Sequence, residues 1–120
     1  MDEVKQRMYT TIDAIKEQLW QMGDDIFDHP EVGTQEVHAS TLLEDWLEAH
    51  GFAVERGLGN LPTAFRAVYQ KGTGGPAIGL LCEYDALPGV GHACGHHLQG
   101  PCIIAAANAV KEANLQGPFR

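Results

Sequence analysis

Apolar residues in the first quarter of the chain fall at Val4, Met8, Ile12, Ile15, Leu19, Met22 and Ile26, spaced by 4, 4, 3, 4, 3 and 4. That spacing is one stripe along an α-helix. It predicts an amphipathic helix from Met1 to about Asp28, with Lys5, Asp13, Glu17 and Asp24 off the stripe. His29-Pro30 should end it, because the residue before a proline is pushed out of the right-handed helical region. A second helix is expected from Thr34 or Gln35, with Glu36 in a first turn where the helix dipole favours an acid. One face carries Val37, Ser40, Leu43 and Leu47, widened by Leu42 and Trp46, and Gly51 closes the helix after His50. Gly33 permits a tight turn between the two helices. His29, His38 and His50 sit at helix ends or on polar faces, where a structural role is the simpler reading.

The period then shortens. Phe52 to Arg56 reads as a short strand, Gly57 to Pro62 as a loop, and Thr63 to Gln70, with Phe65, Val68 and Tyr69, as a second strand. Lys71-Gly72-Thr73-Gly74-Gly75-Pro76 is a turn. Those glycines lack the spacing of a phosphate loop and no Lys-Ser/Thr follows them. Ala77-Ile78-Gly79-Leu80-Leu81-Cys82 is uniformly apolar, which predicts a buried strand at the centre of a sheet. The last element is a helix from about Gln99 to Asn114, with Pro101 in its first turn and Ile103, Ala107 and Val110 at helical spacing. Ala105, Ala106, Ala107 and Ala109 let it pack closely, and Gly117-Pro118 stops it. The expected fold class is α/β: two N-terminal helices, about three strands of a mixed sheet, and a C-terminal helix.

Composition narrows the function classes. A chain of 120 residues, 44% of them hydrophobic, can build one small domain with a moderate core. Its formal charge of −8 leaves no basic patch to neutralise phosphates, so nucleic acid is not an expected partner. No apolar run approaches the roughly 18–20 residues that span a bilayer, and the polar N-terminus lacks a signal-peptide core. The expectation is a cytoplasmic protein without a membrane partner. Three cysteines, an odd number, do not suggest a disulfide framework. Cys82 and Cys102 lie in apolar runs and read as buried thiols.

Cys94 has different company. The run from Glu83 to His97 puts two acids, three histidines and a cysteine into fifteen residues, punctuated by Pro88 and glycines. It follows a predicted strand and precedes a helix, the place where α/β sheets keep their active sites. Cys94 and His96 are one glycine apart, so an extended backbone points both side chains the same way. A thiolate with an imidazole suits zinc and similar divalent ions. His92 and His97 are further candidates, Asp85 can orient a ligating histidine, and Glu83 can do the same or bind metal itself. From the residues alone, three readings stand: a metal site, a Cys/His nucleophile, and a solvated loop. The nucleophile is the weakest, because its base needs a separately oriented position.

Glu83-Tyr84-Asp85-Ala86-Leu87-Pro88 followed by His92-Ala93-Cys94-Gly95-His96 resembles the signature of the M20 family of metallopeptidases. The likeness is strongest to its amidohydrolase branch, which includes aminobenzoyl-glutamate, hippurate and indole-acetyl-amino-acid hydrolases. His29-Pro30-Glu31 with Gly33, and Gly51 after the second helix, also resemble that branch. The resemblance implies the N-terminal part of a zinc-exopeptidase-like catalytic domain over residues 1–120. It implies Cys94 and His96 as metal ligands and Asp85 as support from behind them. It further implies two divalent ions, zinc or manganese, in the complete site, an N-acyl amino acid or dipeptide as substrate, and a homodimer. The position of His97 is usually Asp or Asn in such relatives, so its role does not carry over.

Relatives of this kind are expected to run to roughly three or four times this length as two-domain chains. Their general-base glutamate, further metal ligands and lid domain lie downstream of the matched part. After Cys94 this chain has a single acid, Glu112, and no Glu-Glu pair. The expectation is therefore a portion of an enzyme, inactive by itself. The alternative is a small non-enzymatic metal-binding or interaction domain.

Overall fold

A computed structural model describes residues 2–120. Helix α1 spans Glu3–Asp28 and starts where the Asp2 side chain accepts the Val4 N–H at 2.8 Å. It ends at His29, as the proline requires. Of its apolar stripe, Leu19, Met22 and Ile26 are buried, whereas Val4 and Met8 are half-buried near the free end.

Helix α2 spans Val37–Ala49, starting later than the sequence suggested. Thr34 occupies the left-handed region at φ 71°, which holds the chain out of the helix. The acid that caps α2 is Glu31 rather than Glu36: its carboxylate accepts the N–H groups of His38 at 2.8 Å and Ala39 at 2.9 Å. A carboxylate reaching back from the loop satisfies two of the otherwise orphaned donors of the first turn. Gly51, at φ 87°, closes the helix as expected.

Strands β1 (Ala53–Arg56) and β2 (Phe65–Val68) pair antiparallel, with Ala53 opposite Val68 and Arg56 opposite Phe65. The hairpin is fastened to α2 through Arg56, which contacts Glu44 at 2.9 Å and both Asp45 and Glu48 at 2.8 Å. Helix α3 (Gln99–Glu112) crosses against α1 and α2, burying Ile104, Ala105 and Ala109. Its close approach requires Gly100, since a Cβ there would lie 2.7 Å from Leu43 Cδ1. The shared core is Leu19, Met22, Ile26, Ala39, Leu43, Trp46, Leu47, Phe52, Ile104 and Ala105. Among the described residues no helix is long and apolar enough to cross a membrane.

The α/β class and the order of elements follow the sequence expectation, with two corrections. Ala77 to Cys82 forms no strand in the described chain: Ile78 is 71% exposed and Leu81 90%. A central strand needs a neighbour on each side, and β1 and β2 pair only with each other. The segment is instead tied by Ile78 N–H to the Arg120 carbonyl at 2.9 Å and by Arg120 N–H to the Pro76 carbonyl at 3.1 Å. Cys102, expected to be buried, is exposed. It lies off the face of α3 that Ile104, Ala105, Asn108 and Ala109 bury against the core.

Candidate functional site

The motif loop is shaped by its glycines and by two backbone anchors. Ala86 N–H donates to the Glu31 carbonyl at 2.7 Å, which fastens the loop beside the segment joining α1 to α2. Leu87 and Gly91 then exchange hydrogen bonds at 3.0 Å in each direction, closing a tight turn through Gly89 at φ 71°. Gly95 takes φ 81°, and a 3₁₀ turn over His96–Leu98 leads directly into α3. A side chain at either glycine would be strained by its backbone.

These turns bring His96 against the two acids of Glu83-Tyr84-Asp85. Asp85 Oδ1 lies 2.8 Å from His96 Nδ1, and Glu83 Oε2 lies 3.3 Å from His96 Nε2. One ligand atom from each of Glu83, Asp85 and His96 falls within 4.8 Å of the others. The hydrogen bond from Asp85, helped by the charges of Asp85 and Glu83 against a smaller opposing effect of burial, holds the His96 imidazole above its ordinary pKa. The Asp85 carboxylate accepts the Nδ1 proton, so a ligating His96 would use Nε2, the nitrogen that faces Glu83. Glu83 is placed by its own backbone, whose N–H donates to Gln99 Oε1 at 3.1 Å on the first turn of α3.

Cys94 is exposed and is not one of the three converging residues. His92 and His97 face inward instead. The His92 ring is 7% exposed, and neither of its nitrogens has a hydrogen-bond partner among the described residues. It packs beside His97 with ring centres 5.3 Å apart, while Phe27 of α1 meets the His97 ring edge-on at 5.0 Å. Burial, with the neighbouring His97 and His96, pushes the His92 pKa down, so this ring is neutral at pH 7.

Beside the acids lies an open cavity of about 210 Å³, lined by Glu36, Thr63, Cys82, Glu83, Tyr84 and Asp85 among others. Tyr84 donates its hydroxyl to the Thr63 carbonyl and stacks on Phe65 of β2 at 6.1 Å. The hairpin thus forms one wall of the cavity. Burial raises the Cys82 thiol pKa, assisted by Glu83, so Cys82 enters the wall as a neutral thiol. Glu36, expected in a helix turn, contributes a carboxylate to this wall. Its position directly before α2 reads as that of a helix-start acid, which concealed the role.

The donor set is chemically suited to a divalent cation: two carboxylates and an imidazole nitrogen free to ligate, with a thiol two residues from that imidazole. The exposed Glu83 and half-buried Asp85 place two negative charges around one ring, which a cation would offset.

No protein-family model matches the chain. It is 38% identical over 129 residues to a p-aminobenzoyl-glutamate hydrolase polypeptide of Escherichia coli (strain K12), an alignment covering 93% of this chain and 26% of that protein. It is 39% identical to the Xaa-Arg dipeptidase of Homo sapiens, over 98% of this chain and 29% of that protein. A hippurate hydrolase of Campylobacter jejuni is 29% identical over 77% of the chain and 27% of its own length. The chain thus spans between 26% and 29% of the length of these curated relatives. With the hydrolase signature at Glu83 to His96 and this similarity along nearly all its length, the chain belongs to the M20 family of peptidases and amidohydrolases.

Proposed function

We propose that these residues form part of the catalytic site of a metal-dependent hydrolase that cleaves the amide bond of N-acyl amino acids or small peptides. The observation that carries this reading is the orientation of His96: Asp85 grips Nδ1 at 2.8 Å and leaves Nε2 toward the Glu83 carboxylate. In this reading Cys94 and His96 are metal ligands, Asp85 is the positioning residue behind His96, and Glu83 adds a carboxylate oxygen. Two divalent ions, zinc or manganese, would polarise the scissile carbonyl and lower the pKa of a bound water when present. The names of the relatives, an aminobenzoyl-glutamate hydrolase, a dipeptidase and a hippurate hydrolase, support the substrate class.

Within these 120 residues the proposed role is to bind and orient. Asp85 fixes the His96 tautomer, the motif glycines let Cys94 swing toward an ion without backbone strain, and the Glu36–Tyr84 wall offers a surface for the substrate. The only acid after Cys94 is Glu112 on α3, so no candidate general base follows the motif, and we infer that the chain alone does not turn over substrate. From the family resemblance we also infer that the active enzyme is a homodimer.

Two experiments test this. Cobalt(II) bound through a thiolate gives an intense near-ultraviolet charge-transfer absorption. The 120-residue chain should develop it, and Cys94→Ser should remove it; its absence from the unsubstituted chain would overturn the ligand assignment. Residues 1–120 should also replace the matching segment of the human Xaa-Arg dipeptidase with retention of dipeptide hydrolysis, and His96→Ala should abolish that activity. Hydrolysis undiminished by His96→Ala would sink the catalytic reading and favour a non-enzymatic binding module.

A further inference from the structure

We propose a second metal site, separate from the motif loop, formed by Asp25, His29 and His38 where the end of α1 meets the start of α2. His29 Nδ1 lies 3.0 Å from Asp25 Oδ1, and His38 Nε2 lies 3.0 Å from Asp25 Oδ2. One ligand atom from each residue falls within 4.8 Å of the others, and the two rings stand 4.5 Å apart. A tetrahedral ion with bonds of about 2.0–2.2 Å holds its donors roughly 3.3–3.5 Å apart. The two separations from Asp25, 3.0 Å each, fall slightly short of that distance, so small side-chain adjustments would open room for the ion.

The backbone pre-organises it. Asp25 lies in the last turn of α1 and His29, four residues on, is the residue that ends the helix, so the two side chains meet. His38 comes from the other helix, but its own N–H is held at 2.8 Å by Glu31, only two residues beyond His29. The loop that would need ordering is therefore already ordered. All three side chains reach solvent, at 36% to 57% exposure, which leaves room for an ion to enter and for water to complete its coordination. Asp28 adds a nearby negative charge. Two imidazoles and one carboxylate select a borderline divalent cation such as zinc, copper or nickel over calcium or magnesium. His29 Nδ1 now faces the Asp25 carbonyl at 2.8 Å; ligation takes the other tautomer, with the proton on Nε2. The ion would bridge α1 to α2 and brace the loop that carries Glu31 and Glu36.

The site shares no residue with the motif loop, so it stands or falls separately from the proposed hydrolase. Zinc chloride titrated into the 120-residue chain, followed by the ring signals of its histidines in nitrogen-correlated NMR, should move His29 and His38 together and saturate at one equivalent for this pair. In calorimetry with a Cys94→Ser background, His38→Gln should weaken zinc binding at least tenfold. Zinc should also raise the melting temperature in the Cys94→Ser background, and that rise should be smaller when His38→Gln is added. His29 and His38 signals that stay fixed in excess zinc would overturn the proposal by themselves, whatever the variants do. Equal zinc affinity in His38→Gln and its parent would overturn it as well.

Discussion

Thr63 donates its hydroxyl to Glu36 Oε2 at 2.6 Å, and both residues are buried, at 6% and 8% exposure. The bond joins the residue before α2 to the residue entering β2, across the cavity beside the candidate site. Removing the hydroxyl leaves a buried carboxylate short of a partner, which costs more than the bond itself is worth. Thr63→Val should therefore lower stability by about 1–3 kcal/mol in urea unfolding, while Thr63→Ser stays near the parent. Equal stability of the Val variant would show that solvent reaches Glu36.

Asp85→Asn keeps the shape of the side chain but removes the charge that holds His96. Residues that orient a ligating histidine typically contribute about 10–100-fold in metal affinity. Cobalt or zinc binding at the motif loop should weaken by that range, with no change at the Asp25–His29–His38 cluster. Competition with a chromophoric chelator measures it.

Gly100 admits α3 to Leu43, and a methyl group there would meet two Leu43 carbons at 2.7 and 2.8 Å. Overpacking of this kind costs about 1–3 kcal/mol. Gly100→Ala should lower the melting temperature despite its better helix propensity. Because Leu43 is itself fully buried, Leu43→Ala is destabilising alone, and the double variant should lose less than the sum of the two. Strict additivity would place the clash elsewhere.

Glu44 predicts a pH dependence. Burial, set against the attraction of Arg56, raises its carboxyl pKa above the ordinary value. A group whose folded pKa is raised contributes most below its unfolded pKa, and that contribution is lost as pH rises through the folded one. Glu44→Gln should thus be least harmful at pH 7 and lose ground to the parent as pH falls through the carboxylate range. Chemical unfolding at pH 7 and pH 4.5 reads the difference; a gap that narrows on acidification would contradict the sign.

The three thiols should separate by exposure. Cys94 and Cys102 are exposed, whereas Cys82 is half-buried with a raised pKa. Since the thiolate is the reacting form, Ellman's reagent should modify Cys94 and Cys102 in a fast phase and Cys82 slowly. Zinc should protect Cys94 and leave Cys102 reactive.

Local chemistry in the chain was enough to place most elements. The α1 stripe, the His29-Pro30 stop, the Gly51 closure and the turn-rich segments between strands all depend on neighbours within one or two turns, and each is legible from residue order. That Asp85 could orient a ligating histidine was readable too, but only the folded loop, turning through Gly89 at φ 71°, shows that the histidine is His96. Three features were not legible. Glu31 rather than Glu36 caps α2, since either acid suits a helix start and only the left-handed turn at Thr34 decides which one reaches it. Cys102 faces outward because α3 turns Ile104 and Ala105 to the core, a rotation of the face that alanine-rich sequence leaves almost neutral. The Asp25–His29–His38 cluster draws on two helices whose relative placement no local pattern encodes.

The sequence by itself determined where α1 ends and where α3 begins, which family the motif belongs to, and which side chains are able to ligate. Tertiary structure alone decided which of them meet, and that Ala77 to Cys82 stays uncovered. Helical periodicity is a property of near neighbours, whereas a strand is buried only when another stretch of backbone, distant in the chain, lies alongside to take its hydrogen bonds.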